Sequence, residues 1–366
     1  MTDVPKSKRV FILGAGFSKA AGMPLAVDLT EELLNLEFNR EDEQFQDWVR
    51  DIGQRLAALG DEDSPVLNVE QLFEFARLDR EIWCMRQQLC QVGRGYGDTP
   101  SNRAQEIGHW LKYMEDGLFD VLAKRQQSAD FTTLLPFFAQ LRTDDTIVTF
   151  YYDTIAEICI AEAGLAWWHG FEDEKARGLT VLKLHGSVDW WLVPRGRAFR
   201  GMERLFVKVD TNARDHGHTP DSKEDEYWYE LHRASDLACA SRRYDEYTGI
   251  SIGFPARPGL AGLGAHKPLH SLPGSAVVWS RADLPLRSAD EVYVIGWSAS
   301  PFDSMARFHF RSVLMMRDAA PARVVVVDPN VNNCGNKKNF ESVFGDIQAQ
   351  AKKVEDVDWK APRSTS

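Results

Sequence analysis

The sequence predicts an α/β fold: a Rossmann-like parallel sheet with helices on both faces, plus an inserted helical module. Three observations carry this expectation. Short apolar runs rich in β-branched residues recur along the chain, as strands buried on both faces require. Several are followed at once by glycine turns and then by apolar residues at helical spacing. After the first of them, residues 39–140 keep helical rather than alternating periodicity.

The elements follow in order. Arg9-Val-Phe-Ile-Leu13 reads as a buried strand, and Gly14-Ala-Gly16-Phe17-Ser18-Lys19 as the turn that opens a helix carrying Leu25, Leu29, Leu33 and Leu34. In the 39–140 module, Val69, Leu72, Phe73 and Phe75 mark a helix, and the acidic clusters Glu41-Asp42-Glu43 and Asp61-Glu62-Asp63 read as solvated faces. Strand-type runs return at 146–150, 180–184, 276–279, 291–295 and 324–328, with helical patterns at 154–163 and 303–316. Residues 194–271 turn polar and rich in Gly and Pro, with an acidic aromatic cluster at 224–230, and read as a long insertion or flap. The last segment, 351–366, reads as a polar, frayed tail. The layout is therefore 9–38 and 141–350 as one sheet domain, interrupted by 39–140.

Composition narrows the function classes. Lys and Arg number 43 against 54 Asp and Glu, a formal net charge of −11. That balance argues against a protein that coats nucleic acid through phosphate neutralisation, so no direct nucleic-acid binding is expected. No run has the apolar length of a membrane helix and the N-terminus lacks a secretory pattern, so a cytosolic location is expected. Cys84, Cys90, Cys159, Cys239 and Cys334 are scattered, without paired knuckles, and read as reduced, mostly buried small hydrophobes. His216 and His218, with Asp215 and Asp221, lack a further ligand pattern and read as a polar loop, so no metal is expected. Trp167, Trp168, Trp190 and Trp191 read as core and rim packing, because basic residues do not interleave with them.

Polar features cluster where strands end, the place at which open α/β sheets bind ligands. They are Gly14 to Ser18, Tyr151-Tyr-Asp153, His185-Gly-Ser187, Gly296-Trp-Ser298 and Asp328-Pro-Asn330. Gly14 and Gly16 permit close backbone approach, and the turn presents amides and a helix end to an anion such as a pyrophosphate. His185 ends an apolar strand before a glycine, so its ring is expected to project into the crevice. Asp328 reads either as a ribose-binding carboxylate or as an Asx turn before Pro329, which acts as a strand stop.

These motifs, Gly14-Ala-Gly-Phe-Ser-Lys-Ala-Ala-Gly-Met-Pro24, Thr149-Phe-Tyr-Tyr-Asp-Thr154, Lys183-Leu-His-Gly-Ser-Val-Asp-Trp190, Ile295-Gly-Trp-Ser298 and Val327-Asp-Pro-Asn330, resemble in order and spacing those of the sirtuin-like (silent information regulator two) superfamily, in particular its prokaryotic NAD-hydrolysing anti-phage defence branch. The likeness runs from Arg9 to about Phe344; the helical module and 194–271 match only in position and general character.

The resemblance implies NAD as substrate, cleaved to nicotinamide and ADP-ribose through an oxocarbenium-like ribose. It implies that His185 accepts a proton and that Tyr151 and Asp153 belong to the catalytic set. Gly14, Ala15, Gly16, Phe17, Ser18 and Pro24, with Gly296 and Ser298 on the phosphate or adenosine side and Asp328 and Asn330 at the adenosine ribose and adenine, would hold the dinucleotide. The main departure is Tyr151, standing where the family usually carries Asn; a phenol offers one hydroxyl in place of a planar amide. Tyr151 either orients water, stacks on nicotinamide, or fills the pocket and leaves an NAD or ADP-ribose sensor without turnover. Protein deacylation is a further alternative, disfavoured because the four-cysteine zinc module of sirtuin deacylases is missing from this sequence. A defence effector that drains NAD needs gating, which implies a homo-oligomer or a separate partner such as a sensor, a DNA-translocating ATPase or an Argonaute-type protein.

Overall fold

The computed structural model describes residues 7–36, 42–59, 68–92, 101–171, 178–194, 202–206, 229–234, 257–260, 272, 274–300, 303–317 and 320–359. The chain falls into two compact units: a helical one within Pro24–Val121, and a sheet unit made by the chain through Met23 and from Leu122 onward. The boundaries lie at 24 and 121, earlier in the chain than the 39 and 140 expected from periodicity.

In the sheet unit, β1 (Arg9–Leu13) leads into a short helix α1 (Ala15–Lys19). In the helical unit, α2 (Ala26–Leu34), α3 (Glu43–Leu59), α4 (Val69–Val92) and most of α5 (Ser101–Gln127) follow. The core of that unit is aromatic: the Trp48 and Trp110 rings lie 4.9 Å apart beside Phe45. Each indole is held by a carboxylate, Trp48 Nε1 by Asp79 at 3.0 Å and Trp110 Nε1 by Asp42 at 3.2 Å. Asp42 also accepts from the Phe45 amide at 2.9 Å, so it caps α3. This corrects the reading of the 41–43 cluster as a purely solvated face; residues 61–63 lie outside the described residues.

The sheet unit continues with α6 (Leu135–Phe138), β2 (Thr146–Thr149), α7 (Ile155–Glu162), β3 (Trp167–Trp168), β4 (Leu179–Lys183) and β5 (Gly186–Pro194). Then come β6 (Met202–Phe206), β7 (Tyr229–Ala234), β8 (Arg257–Leu260), α8 (Ser275–Ser288), β9 (Glu291–Ile295), α9 (Ser304–Met315), β10 (Arg323–Val327), α10 (Cys334–Phe344) and β11 (Gln348–Gln350). Seven strands form one parallel sheet in the order β11-β10-β9-β1-β2-β4-β3. Strand β1 is central: the chain leaves it for β2 on one side and reaches β9 on the other, so a topological switch point lies there.

The alternation of β1 shows that both faces are covered. Val10 and Ile12 enter a cluster with Val278 and Trp279 of α8, Phe310 of α9 and Phe340 of α10. On the opposite face Phe11 stacks on Tyr293 at 5.1 Å and meets Phe137 of α6 edge-on at 5.4 Å. The end of the sheet away from the polar motifs is closed by Asp145, which accepts from Arg9 Nε at 2.9 Å and the Arg142 amide at 2.7 Å.

Three expectations are corrected. The run 276–279 is the start of α8, not a strand: Val278, Ala282 and Leu286 are buried at intervals of four, and this packing periodicity overrides the β-branched composition of Val277 and Val278. The segment after 350 is not frayed as far as it is described: Val354 is buried, and Trp359, 7% exposed, packs its ring 4.9 Å from Phe137. The described parts of 194–271 are strands, because β6, β7 and β8 join β5 in an antiparallel sheet of order β6-β7-β5-β8. Residues 215–221 and 224–228 lie outside the described residues. Of the cysteines, Cys159 is buried, Cys84 half-buried and Cys334 exposed, the last against expectation because it opens α10 at the surface.

Candidate functional site

The parallel register places five strand ends at one level. Leu13 pairs with Thr149 and Ile295, Thr149 with Lys183, and Ile295 with Val327. The polar motifs begin just beyond these residues, so the fold brings them to one edge of the sheet.

At the centre of that edge two glycine turns interlock. The Gly14 amide donates to Ile295 O at 3.1 Å, Gly16 to Gly296 O at 2.8 Å, and Gly296 to Val327 O at 3.1 Å. A Cβ on Gly14 would lie 2.6 Å from Gly296 O, and one on Gly296, whose φ is +64°, would lie 2.1 Å from the Phe17 nitrogen. Only glycine fits. The Gly14 and Gly16 amides serve carbonyls of the facing turn, and Phe17 N donates to Gly14 O at 3.0 Å. The glycines therefore shape the turn, and an anion there would draw on neighbouring donors. The Phe17 side chain is buried against Phe137 and Phe138. Ala15 is half-buried, and Pro24 is the first residue of the helical unit.

His185 follows β4. Its Nδ1 lies 3.1 Å from Phe150 O, a bond that assigns the proton to Nδ1 and leaves Nε2 as the basic nitrogen. The ring is 3% exposed and packed among Phe150 at 5.1 Å, Tyr152 at 6.2 Å and Trp279 at 6.5 Å. It is enclosed rather than projecting openly, because Trp279 of α8 closes over it and donates from Nε1 to Leu184 O at 3.1 Å. The tyrosine ring beside His185 is that of Tyr152. Tyr151 is also buried, its amide donating to Thr149 Oγ1 at 3.2 Å and its ring 6.4 Å from that of Tyr152.

Asp153 is turned into the protein. It accepts from the Ile155 amide at 2.9 Å in the turn ahead of α7, and the Ser18 hydroxyl approaches it. Burial raises its carboxyl above the ordinary range, against the Lys183 ammonium, the Ser18 hydroxyl and the Ile155 amide. Ser18, 4% exposed, thus joins the β1 turn to the β2 turn.

Beneath this pair is a buried polar cluster that the motif reading passed over. Lys183 Nζ lies 2.9 Å from Glu157 Oε1 with the two side chains 0% and 5% exposed, and it also donates to Asp153 O. Asp189, at the start of the antiparallel sheet, is pushed up to about 6, first by burial and further by Glu157, with Lys183 opposing. His169 is held well below its ordinary range, first by burial and then by the Lys183 and Arg233 cations, so it is neutral. A signal existed: Lys183 ends a largely apolar strand, Leu179–Lys183, and a lysine buried there needs a carboxylate partner.

The last motifs stand as follows. Ser298 is exposed, while Trp297 is buried, stacks 4.9 Å from Phe150 and donates to Asp303 at 2.9 Å. Asp328 makes the Asx turn, Oδ1 accepting from the Asn330 amide at 2.7 Å, and burial raises its carboxyl although that bond opposes the rise. Asn330 is exposed, and its carbonyl accepts from the Asn333 amide at 2.9 Å. Among the described residues no group of three or more His, Cys, Asp or Glu is disposed to hold a metal ion, and no helix is long and apolar enough to cross a membrane.

No family model and no curated protein matches the sequence. Among solved structures, the chain is similar to a Sir2 homologue in complex with NAD, at 14% identity over 96% of this chain and 86% of that one, with a TM-score of 0.40. It is similar also to Sir2Tm bound to a propionylated peptide, at 11% identity over 95% of this chain and 88% of that one, TM-score 0.39. A third is a Sir2 homologue mutant with ADP-ribose, at 14% identity over 96% and 88%, TM-score 0.36.

Proposed function

We infer that the chain binds NAD at the switch-point edge of its parallel sheet and cleaves the bond between nicotinamide and ribose. The observation that carries the reading is the common level of Leu13, Thr149, Lys183, Ile295 and Val327, which gathers the glycine turns, the 150–154 loop and His185 at one edge. Water replaces nicotinamide on the ribose anomeric carbon, releasing nicotinamide and ADP-ribose, and His185 Nε2 takes the proton. The Nδ1 bond to Phe150 O supports this role by directing the lone pair to Nε2. The aromatic shell keeps bulk water from the ring, and the positive charge that develops on ribose is met by fixed carbonyl and hydroxyl dipoles.

A second reading, NAD or ADP-ribose binding without turnover, is favoured by the burial of Tyr151 and of His185. The role that follows from the first is a gated NAD-depleting effector in anti-phage defence, controlled by self-assembly or by a separate partner protein. Deacylation remains the outer enzymatic alternative.

The test is chromatography of NAD incubated with the chain alone and with the product of the neighbouring gene. Release of nicotinamide and ADP-ribose is expected, and His185→Ala should lower it about 10²–10⁴-fold with the fold intact. Calorimetric NAD binding without nicotinamide under any condition would remove the hydrolase reading and leave the sensor.

A further inference from the structure

We propose that Lys183 is a positioning residue, whose contacts to Glu157 and to the Asp153 carbonyl fix the loop that sets the tautomer of His185. The loop between β2 and α7 carries two carbonyls that face β4: Phe150 O, which accepts from His185 Nδ1 at 3.1 Å, and Asp153 O, which accepts from Lys183 Nζ. Lys183 and His185 are two residues apart, so the end of β4 and the turn after it hold this loop at both ends. Glu157, in the first turn of α7, holds the ammonium at 2.9 Å and so ties the helix that follows the loop to the same point.

A buried lysine with no solvent exposure is otherwise costly, and an apolar pair of similar volume often serves stability as well or better. What an apolar pair lacks is a donor for Asp153 O. Phe150 N still donates to Leu13 O at 3.2 Å, but without the Lys183 bond the loop has one fewer constraint near the site, and the distance from Phe150 O to His185 is set less tightly. Imidazole free of such a bond favours the Nε2–H form, in which the nitrogen assigned to proton transfer is already occupied. Other groups also tie the loop: Leu184 N donates to Thr149 O at 3.0 Å, and Val188 N to Tyr152 O at 2.8 Å. These hold its backbone near β4 and β5 but touch neither Phe150 O nor Asp153 O.

The inference rests on the assignment of His185 as the base, but its test does not depend on turnover. Protein labelled with ¹⁵N-histidine reads the tautomer of each imidazole directly by long-range proton–nitrogen correlation, and His185→Ala assigns the signal. Wild type should show His185 as Nδ1–H. Lys183→Met combined with Glu157→Met removes the buried pair together, so the fold should persist, and should move the tautomer ratio toward Nε2–H by about fivefold or more, the size of one ordinary hydrogen bond. Glu157→Gln, which leaves Lys183 to donate to Asp153 O, should keep the Nδ1–H form. Leu182→Ala, a neighbouring core truncation, should lower the melting temperature without moving the tautomer. A folded double variant that retains the wild-type tautomer overturns the proposal. Absence of nicotinamide release from wild type overturns the hydrolase reading alone.

Discussion

Gly16 donates its amide to the carbonyl of Gly296 at 2.8 Å, and a Cβ on Gly16 would lie 2.9 Å from that same oxygen. Two turns from opposite ends of the chain thus depend on each other's lack of side chains. Gly296→Ala adds a backbone clash, 2.1 Å to Phe17 N, to a left-handed φ of +64°. It should destabilise by about 3 kcal/mol or more, at the upper end of single substitutions. Gly22→Ala has the φ cost alone, with φ at +91° and nothing within 4 Å, and should lose only about 1–2 kcal/mol. Urea unfolding of the two variants checks the contrast; equal losses would mean the turns can move apart.

Asp189 gives the fold a pH dependence of known sign. Its carboxyl is raised by burial from 3.8 to about 6, so between these values the folded chain holds a proton that the unfolded chain has released. Stability from this group is therefore highest below pH 4, falls as pH rises toward 6, and stays reduced above it. The full difference is of order 3 kcal/mol. Asp189→Asn, neutral at every pH, should be more stable than wild type at pH 7 and nearly level with it at pH 3. Denaturant midpoints at the two pH values measure this, and a gap that does not widen with pH would assign the burial cost elsewhere.

Five strands of the sheet, β1, β2, β4, β9 and β10, are legible because each is a short apolar run that stops at a glycine or a polar turn, whereas the two-residue β3 and the polar β11 carry no such pattern. The run at 276–279 was misread because composition alone does not separate a buried strand from the first turn of a buried helix. At the site, glycines, His185 and Asp153 could be named from strand ends, but the interlock of Gly14 and Gly16 with Gly296 could not. Nothing in local sequence says which turn faces which. Nor could spacing say that Tyr152, not Tyr151, lies beside His185, since both adjoin one strand end and the loop's path decides between them.

Tyr151 separates the two functional readings. It is 6% exposed and stands where the resemblance leads one to expect an amide. Tyr151→Asn supplies both a donor and an acceptor and removes ring volume from the pocket. If the chain is a hydrolase handicapped by the phenol, nicotinamide release should rise while stability falls by about 3 kcal/mol for the lost packing. Steady-state turnover with a parallel melting curve reads both. A stable variant with no gain in turnover would place the limit on catalysis outside this position.

Trp359 shows that the chain beyond β11 belongs to the sheet unit. Its indole is 7% exposed and meets Phe137 at 4.9 Å in an edge-to-face contact, on the face of the sheet where Phe137 also touches Phe11 and Phe17. Burial of an indole contributes several kcal/mol, and the aromatic pair adds about 1 kcal/mol beyond area. Trp359→Ala should therefore cost about 3 kcal/mol, whereas Trp359→Phe, which keeps a ring against Phe137, should cost less than half of that. Because Phe17 lies in the first turn after β1, the loss should reach the candidate site: NAD affinity, read by calorimetry below the melting transition, should weaken in the alanine variant and recover in the phenylalanine one. Unchanged affinity in a folded Trp359→Ala protein would confine the indole's role to stability.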